Sequence, residues 1–343
     1  MRTRIVPATA ANIERLARTL RRGGVVAVPT ETVYGLAANA LDEAACARIF
    51  EIKGRPSSDP LIVHVHSRAA AEKVAVFNEE ARRLAGAFWP GPLTMVLPKR
   101  ECIPGIVTAG LDSVAVRVPR HKAFRSLLSR AGLPLAAPSA NPFGYVSPTS
   151  ARHVCDNLGG RIACILDGGP CRVGLESTIV DLRRPKAPRI LRPGWITAED
   201  IENETGLRVL SAKPRSATKA SIRREPDVGL PAPGMMTKHY SPRTPLRLVK
   251  KIGPKAWREH AAGVTSVAWI HFARPATLPP GIPRENVFWL SRDGNVAEAA
   301  RRLFGTLRQI DAKVFDLIVA ELAPAAGAGE SLNDRLRRAA AKS

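Results

Sequence analysis

A lysine and an arginine stand two residues apart where glycine and proline force the chain out of helical conformation. The segment is Lys53-Gly54-Arg55-Pro56, and it follows an apolar pattern typical of a helix. In such a loop an ammonium and a guanidinium can converge on one phosphate group, and the guanidinium can donate two parallel hydrogen bonds. In so basic a chain this tripeptide is more often a solvated surface, so a phosphate site needs further residues to support it.

Other polar segments adjoin apolar runs. In open α/β sheets the loops at the carboxyl ends of strands carry the ligand site, so these segments are candidates for one common site. Structural alternatives exist: residues 29–36 as a strand-to-helix turn with a threonine cap, His64 as a core histidine, and residues 138–142 as turns closed by Ser and Asn. The segments are 29–36, His64, Arg117, 138–142, 174–178 and 191–194.

Glycine-rich phosphate loops are missing from the sequence. Gly169 and Gly174 have P-loop spacing, but Leu175 and Glu176 stand where lysine and Ser/Thr are required. A G-x-G-x-x-G pattern beginning at Gly327 lacks its last glycine, and neither G-x-S-x-G nor H-E-x-x-H occurs. If phosphate is bound, side chains must therefore do most of the binding.

The amino-acid composition limits the classes of binding partner and the cellular compartment that are expected. Lys and Arg number 52 against 30 Asp and Glu, a net charge of +22, which favours nucleic acid or nucleotide phosphates as partners unless the arginines only cover a solvated surface. Five cysteines without a C-x-x-C pair argue against a zinc site or a disulfide framework and indicate a reducing compartment. No signal peptide and no run of 18 apolar residues is apparent, which predicts a cytoplasmic protein without membrane contact.

Helix and strand patterns alternate from residue 1 to about 205. They predict an α/β domain with one large, twisted, mixed sheet. The predicted helices cover 12–22, 44–52 and 79–88, and the predicted strands cover 25–29, 61–65, 93–97, 114–118, 135–137, 162–166 and 177–182.

A basic stretch poor in bulky apolar residues, 211–228, predicts a flexible linker. The proline- and glycine-rich residues 231–242 follow it and carry aromatic and basic side chains that we expect to dock. The alternation then resumes, with predicted strands at 246–249, 266–270, 287–290 and 317–320 and predicted helices at 297–310 and 333–341. The predicted organisation is a first domain at 1–205, a linker segment at 206–242 and a smaller α/β domain at 243–343.

Taken in order, these segments resemble the L-threonylcarbamoyladenylate synthases, the Sua5/YrdC family. The matching pieces are PTETVYGL, KGRP with DPLIVHV, WPGPLT, VAVRVP with His121, APSAN, SPT, DGG, GLESTIVD and LRPGWIT, within residues 29–197. APGM, KHYSP and NDRLRRAA, further on, resemble the long, two-domain form. The resemblance implies a YrdC-like catalytic domain followed by a smaller Rossmann-like domain.

The implied reaction condenses L-threonine, bicarbonate or CO2, and ATP into threonylcarbamoyl-AMP and pyrophosphate, with Mg²⁺ on the phosphates. A separate transferase complex would then move the threonylcarbamoyl group to tRNAs reading ANN codons, giving t6A. Carbamates lose CO2 readily in water, so a closed, preorganised pocket matters more here than a strong acid or base. No nucleophile on the protein and no metal-ligand set is implied.

The resemblance also assigns residues to substrates. Lys53 and Arg55 are the implied catalytic cations, and His239 with Tyr240 forms a lid over the pocket. Threonine is assigned to Thr32, His64, His121 and Ser177. ATP is assigned to Lys53, Arg55, Asp59, Arg117, Ser139, Asn141, Ser147, Arg192 and Tyr240.

Two positions depart from the family pattern. Asp59 stands where the family often has asparagine, and Lys122 follows His121 where proline is common.

Two other functions compete with the synthase. The first is a double-stranded RNA- or tRNA-binding protein, which the net charge favours and which would show salt-sensitive RNA affinity without threonine-dependent pyrophosphate. The second, a carbamoyl-transfer enzyme of the hydrogenase-maturation type, needs further modules for which this chain has neither length nor cysteines.

Overall fold

A computed structural model of the protein describes residues 2–211, 230–236, 239–261, 263–278 and 281–341. Within these ranges the first domain contains one eleven-stranded sheet. Its strands are β1 Arg4–Pro7, β2 Val26–Val28, β3 Gly35–Asn39, β4 Ile62–His64, β5 Leu93–Pro98, β6 Ser113–Arg117, β7 Leu135–Ala136, β8 Cys164–Asp167, β9 Thr178–Asp181, β10 Arg189–Arg192 and β11 Leu210–Ser211.

The strand order is β1-β8-β2-β3-β7-β4-β6-β5-β9-β10-β11. The sheet contains parallel pairs, such as β4 with β6, and antiparallel pairs, such as β2 with β3, so the predicted mixed sheet is confirmed. The helices around it are α1 Ala10–Arg21, α2 Glu43–Lys53, α3 Arg68–Ala71, α4 Glu79–Phe88, α5 Gly105–Thr108, α6 Lys122–Ala131, α7 Ala151–Leu158 and α8 Ala198–Thr205.

The segment 29–36 is not the strand-to-helix turn considered above, because it joins β2 to β3 and the two strands pair antiparallel. Thr30 shapes the turn: its hydroxyl oxygen accepts hydrogen bonds from the backbone N–H groups of Thr32 and Val33. The sequence of β3, GLAAN, has none of the β-branched or aromatic residues that mark strands, and for this reason the pattern did not reveal it.

The second domain contains four parallel strands in the order β12-β15-β13-β14, which confirms the predicted smaller α/β domain. A 3-10 turn, Arg284–Asn286, precedes β14. The strands are β12 Leu246–Val249, β13 Val267–Ala273, β14 Val287–Ser291 and β15 Leu317–Glu321, and the helices are α9 Pro254–Ala261, α10 Val296–Asp311 and α11 Gly329–Ala340.

The two sheets are joined by a shared apolar cluster. Val146 and Leu175 of the first domain are fully buried in one cluster with Leu303 of α10 and Leu336 of α11. The Tyr145 hydroxyl donates a 2.7 Å hydrogen bond to Asp311 at the end of α10. The second domain therefore covers part of the first domain rather than extending away from it.

The predicted linker lies, from residue 212 to 228, outside the described residues. The predicted domain limits at 205 and 242 stay predictions. No helix in the described part of the chain is both long enough and apolar enough to cross a bilayer.

Candidate active site

A small cavity of about 50 Å³ lies between the large sheet and the residues Pro233, Gly234, His239 and Tyr240. Nine of the fourteen predicted site residues line it: Thr32, Arg55, His64, Arg117, Ser139, Ser177, Arg192, His239 and Tyr240. They come from both ends of strands, since Arg117 and Arg192 end β6 and β10 whereas Ser177 directly precedes β9. The mixed sheet therefore gathers these loops in a different way from a parallel sheet, where only carboxyl ends contribute.

Arg55 enters the cavity because α2 ends two residues earlier, at Lys53. Gly54 caps the helix in the left-handed conformation, with φ 62°, which glycine adopts without steric cost. The Arg55 guanidinium lies 3.0 Å from Oδ2 of Asp59 and donates to the backbone oxygens of Asp59 and Pro60. Burial raises the pKa of the Asp59 carboxyl, an effect that the charges of Arg55 and Lys53 oppose. The departure at Asp59 thus supplies a counter-ion that fixes Arg55.

Lys53 stands behind the cavity wall rather than in the cavity. Its ammonium donates to the backbone oxygens of Ser139 and Asn141, at 2.6 and 2.5 Å, and the side chain is buried. Burial, with the nearby Arg55 charge, lowers the pKa of Lys53 well below its ordinary value. In this arrangement Lys53 holds the 138–142 loop against α2, and its predicted contact with ATP stays a prediction.

Arg117 is fixed by an acid that the sequence did not single out, Glu31. The two side chains form a buried ion pair at 2.7 Å, and Arg117 also donates to the Thr32 hydroxyl at 3.1 Å. Burial alone would raise the pKa of Glu31, but the charge and hydrogen bond of Arg117 hold it below its ordinary value. Glu31 is therefore ionised and orients the guanidinium beside the cavity.

Arg192 links the sheet to the segment above the cavity. It donates to the backbone oxygen and the hydroxyl of Ser177, both at 3.1 Å, and to the backbone oxygen of Pro233 at 3.3 Å. Ser177 shares a 2.7 Å hydrogen bond with Thr94. The cavity is thus bordered by three buried arginines, at positions 55, 117 and 192, beside hydroxyl groups.

Tyr240 and His239 form the roof. Tyr240 is 1% exposed, its φ of 61° is unusual for a residue with a side chain, and its hydroxyl has no partner in the part of the chain that the structure describes. The Tyr240 ring stacks on Phe304 of α10, with ring centroids 5.7 Å apart. The His239 ring lies nearly perpendicular to the Tyr240 ring, with centroids 4.1 Å apart. A strained residue whose polar tip is unpaired is typical of a segment that contacts a ligand.

Glu176 and Arg335 also belong to the site, although the sequence analysis did not select them. Arg335 of α11 is fully buried and donates to Glu176 Oε2 at 2.8 Å, and its guanidinium carbon lies 5.2 Å from the centre of the Tyr240 ring. Glu176 lines the cavity and accepts a 2.6 Å hydrogen bond from Ser147. No spacing links positions 176 and 335, so only the tertiary structure could reveal this pair.

Four other predicted residues do not line the cavity: Asp59, His121, Asn141 and Ser147. Ser147 bonds Glu176, and the Asn141 amide nitrogen donates to the backbone oxygens of Pro142 and Tyr145. A ring nitrogen of His121 lies 3.3 Å from the Gly168 oxygen. Lys122 is the first residue of α6, a helix position at which proline is also favoured. His121 therefore directly precedes the helix, and the lysine stands at a position that suits the proline common in the family.

Because His64 is buried, it gives the folding stability of the protein a testable dependence on pH. Burial lowers the pKa of its imidazole to about 3, whereas an unfolded histidine has a pKa of about 6.5. Between these values the unfolded chain binds the extra proton, so stability falls as pH falls. From pH 7.5 to pH 5 the wild type should lose about 2 kcal/mol more unfolding free energy than His64→Asn. Urea unfolding at the two pH values measures this; equal losses in both proteins would contradict it.

The fold and this site define a two-domain α/β enzyme in which buried arginines face a covered cavity. Residues 18–194 match a family model of Sua5, YciO and YrdC described as "Telomere recombination", and residues 196–341 match one described as "Threonylcarbamoyl-AMP synthase, C-terminal domain". The threonylcarbamoyl-AMP synthase of Pyrococcus abyssi is 42% identical over 93% of this chain and 91% of its own length. That of Bacillus subtilis is 39% identical over 96% and 92%.

A crystal structure of P. abyssi Sua5 complexed with L-threonine is also similar, with a TM-score of 0.86 and 40% identity over 99% of this chain and 98% of that chain. The chain therefore belongs to the threonylcarbamoyl-AMP synthase family. The predicted activity, that of a transferase acting on ATP, is confirmed. The RNA-binding alternative is not favoured, since these relatives are named as synthases.

Proposed function

We propose that the cavity under His239 and Tyr240 binds L-threonine and ATP side by side. The observation that carries this is the meeting of Arg55, Arg117 and Arg192 with the hydroxyls of Thr32 and Ser177 around one enclosed space. Threonine bound to the P. abyssi relative supports the amino-acid half of the proposal. The arginines suit the phosphates, and the hydroxyls and neutral His64 suit an amino acid.

In the proposed reaction the threonine amine adds to CO2, or to bicarbonate with loss of water, and gives a carbamate. A carbamate oxygen then attacks the α-phosphorus of ATP, the bond to the β-phosphate oxygen breaks, and pyrophosphate leaves with the electron pair. The buried guanidiniums stabilise the charge that develops on the phosphates, and their counter-ions Asp59 and Glu31 keep them oriented. Water is excluded by the roof, which protects the carbamate.

Opening of the roof is part of this proposal, because the cavity of about 50 Å³ is far smaller than the roughly 300–1,000 Å³ of ordinary ligand pockets. The segment that carries His239 and Tyr240 is the one to move, since its described residues from 233 to 240 lie in no helix or strand. Arg192 bonds to its backbone, and the Tyr240 ring packs on Phe304 and Arg335. Arg338 donates to the backbone oxygen of Met236 at 2.6 Å. We infer that His239 and Tyr240 act as the lid.

Magnesium enters this scheme with the nucleotide. The carboxylates beside the cavity, Glu31, Asp59 and Glu176, are each paired with an arginine. Among the described residues no cluster of three His, Cys, Asp or Glu side chains could hold a metal ion. Mg²⁺ prefers a few carboxylates plus substrate phosphates and water, so we propose that it binds as part of Mg-ATP.

The direct test is pyrophosphate release from ATP in bicarbonate buffer with and without L-threonine. We expect release that depends on threonine and is much weaker with serine or valine. Serine lacks the methyl group and valine lacks the hydroxyl, so the pair shows which part of the side chain is recognised. Release that another amino acid supports better than threonine would refute the substrate while leaving the reaction class intact.

The lid can be tested at Gly234, whose φ is 73°. A β-carbon there would stand 2.9 Å from both the Arg192 guanidinium and the Tyr240 hydroxyl. Gly234→Ala should therefore lower threonine-dependent pyrophosphate release by roughly 10-fold or more, because small misplacements of positioning groups are costly. The matched control is Gly132→Ala, which has a similar φ of 66° but open space at the β-carbon. Equal losses in the two variants would mean that backbone strain alone is responsible.

Downstream, we propose that a threonylcarbamoyl transferase complex takes the product to tRNA, in the cytoplasm. The mixed carbamic–phosphoric anhydride has AMP as a good leaving group and is short-lived in water, so it requires an acceptor enzyme nearby.

A further inference from the structure

A second and much larger cavity, of about 850 Å³, lies in the second domain, separate from the one proposed for ATP. Its walls are the segments that follow β12, β13 and β15, together with part of α9 and α11. It therefore opens at the carboxyl edge of the four-stranded parallel sheet. Its volume is within the range of pockets that bind small organic ligands.

The position of this cavity follows from the topology. Strands β12 and β15 are neighbours, but the helices that follow them lie on opposite faces of the sheet. Trp257 of α9 packs with Trp269 and Val319 on one face, whereas Leu332 of α11 packs with Ile270 and Ala320 on the other. Loops that diverge from adjacent parallel strands leave a crevice between them, and open α/β sheets bind their ligands in that crevice.

The charge of the crevice is positive. Four cationic side chains of the described residues line it against one carboxylate, Glu321. They come from three segments: Lys250 and Lys251 from the β12–α9 loop, Arg274 from the end of β13, and Arg337 from α11. Cations converging from three segments on one concavity at the start of α9 favour an anion, and phosphate is the anion that such loops commonly bind.

Two polar atoms of residues in the wall are buried from solvent and have no hydrogen-bond partner among the described residues. His271 is 5% exposed, and its Nε2 has no hydrogen-bond partner; its Nδ1 lies 3.9 Å from Glu321 Oε2, beyond hydrogen-bonding distance. Trp257 Nε1 is likewise buried and unpaired. The carboxylate of Glu321 instead accepts from the backbone N–H of Phe272. Buried polar groups are almost always paired, so a ligand that reached these two atoms would supply partners that the described residues do not.

The apolar part of the wall includes two aromatic side chains. Trp257 and Phe272 line the cavity together with Ile252 and Pro254. We propose that this crevice is a second binding site, for a phosphorylated ligand that carries a flat ring system, of the size of a nucleoside monophosphate. The phosphate binds Lys250, Lys251 and Arg274, and the ring lies by Trp257 with its polar atoms on His271 Nε2 and Trp257 Nε1.

Equilibrium dialysis of radiolabelled AMP against the full chain tests this site. The wild type should bind one equivalent more than the double variant Lys251→Glu, Arg274→Glu, in which the affinity of that equivalent falls by roughly 100-fold because two charge-assisted hydrogen bonds are lost. The matched control is Arg284→Glu, an exposed charge reversal on the turn before β14, outside the cavity. It should keep the wild-type number of equivalents.

Each outcome decides between alternatives. Equal stoichiometry in wild type and double variant overturns the site. If AMP does not bind at the first cavity, the wild type should bind one equivalent of AMP and the double variant none. This result still supports the second site. Adenosine competing as well as AMP, with no competition by inorganic phosphate, overturns phosphate recognition. A 12-nucleotide RNA that loses affinity in the double variant, while AMP stoichiometry does not change, overturns the small ligand in favour of nucleic acid.

Discussion

Replacing Arg55 by methionine is expected to lower threonine-dependent kcat/KM by about 10²- to 10³-fold, the usual cost of removing one preorganised donor from developing charge. Methionine fills much of the volume of arginine without its charge or hydrogen bonds. The guanidinium is buried, lines the cavity and is held by Asp59 at 3.0 Å. Steady-state pyrophosphate release at varied ATP measures the effect.

The same change carries a structural cost that must be separated from the catalytic one. Without Arg55 the fully buried Asp59 has lost its ion-pair partner, which costs about 3–5 kcal/mol of unfolding free energy. In the double variant Arg55→Met, Asp59→Leu no charge of this pair is left, so stability should return close to that of the wild type. Activity should not return. If the double variant regains both, Arg55 serves only to neutralise Asp59, and its proposed role toward ATP is wrong.

The backbone of the fold was predictable where one apolar pattern dominates a segment. The predicted helix 79–88 and the predicted strand 246–249 have the observed bounds, because α4 is amphipathic and begins at the Asn78 cap, and β12 is short and apolar. Strand β3 was missed since GLAAN has no strand propensity of its own and forms by pairing with β2 and β7. The local sequence of β3 does not favour a strand, and its pairing with the neighbouring strands determines its conformation.

In the site, too, some features could be predicted from the sequence and others depend on tertiary contacts. Arg55, Arg117 and Arg192 were predicted individually, and the structure brings them to one cavity. What could not be predicted is how each guanidinium is neutralised in the interior. Asp59 is close in sequence to Arg55, but Glu31 and Arg117 come from distant segments, and the acid that meets Arg335 is Glu176, 159 positions away. A sequence pattern contains no information on such a contact, because only the docking of the second domain creates it.

Replacing Arg335 by leucine should therefore weaken the docking of the second domain and the lid together. The change leaves Glu176, which is 6% exposed, with Ser147 but without its cation, so unfolding free energy should fall by about 3–5 kcal/mol in urea titrations. Tyr240 loses the guanidinium 5.2 Å from its ring, and pyrophosphate release should fall as the roof loosens. The matched control is Arg302→Leu on α10, which breaks a half-exposed pair with Glu298 worth about 0–1 kcal/mol. If Arg335→Leu loses no more stability than that control, Glu176 does not depend on Arg335, and the buried pair does not join the two domains.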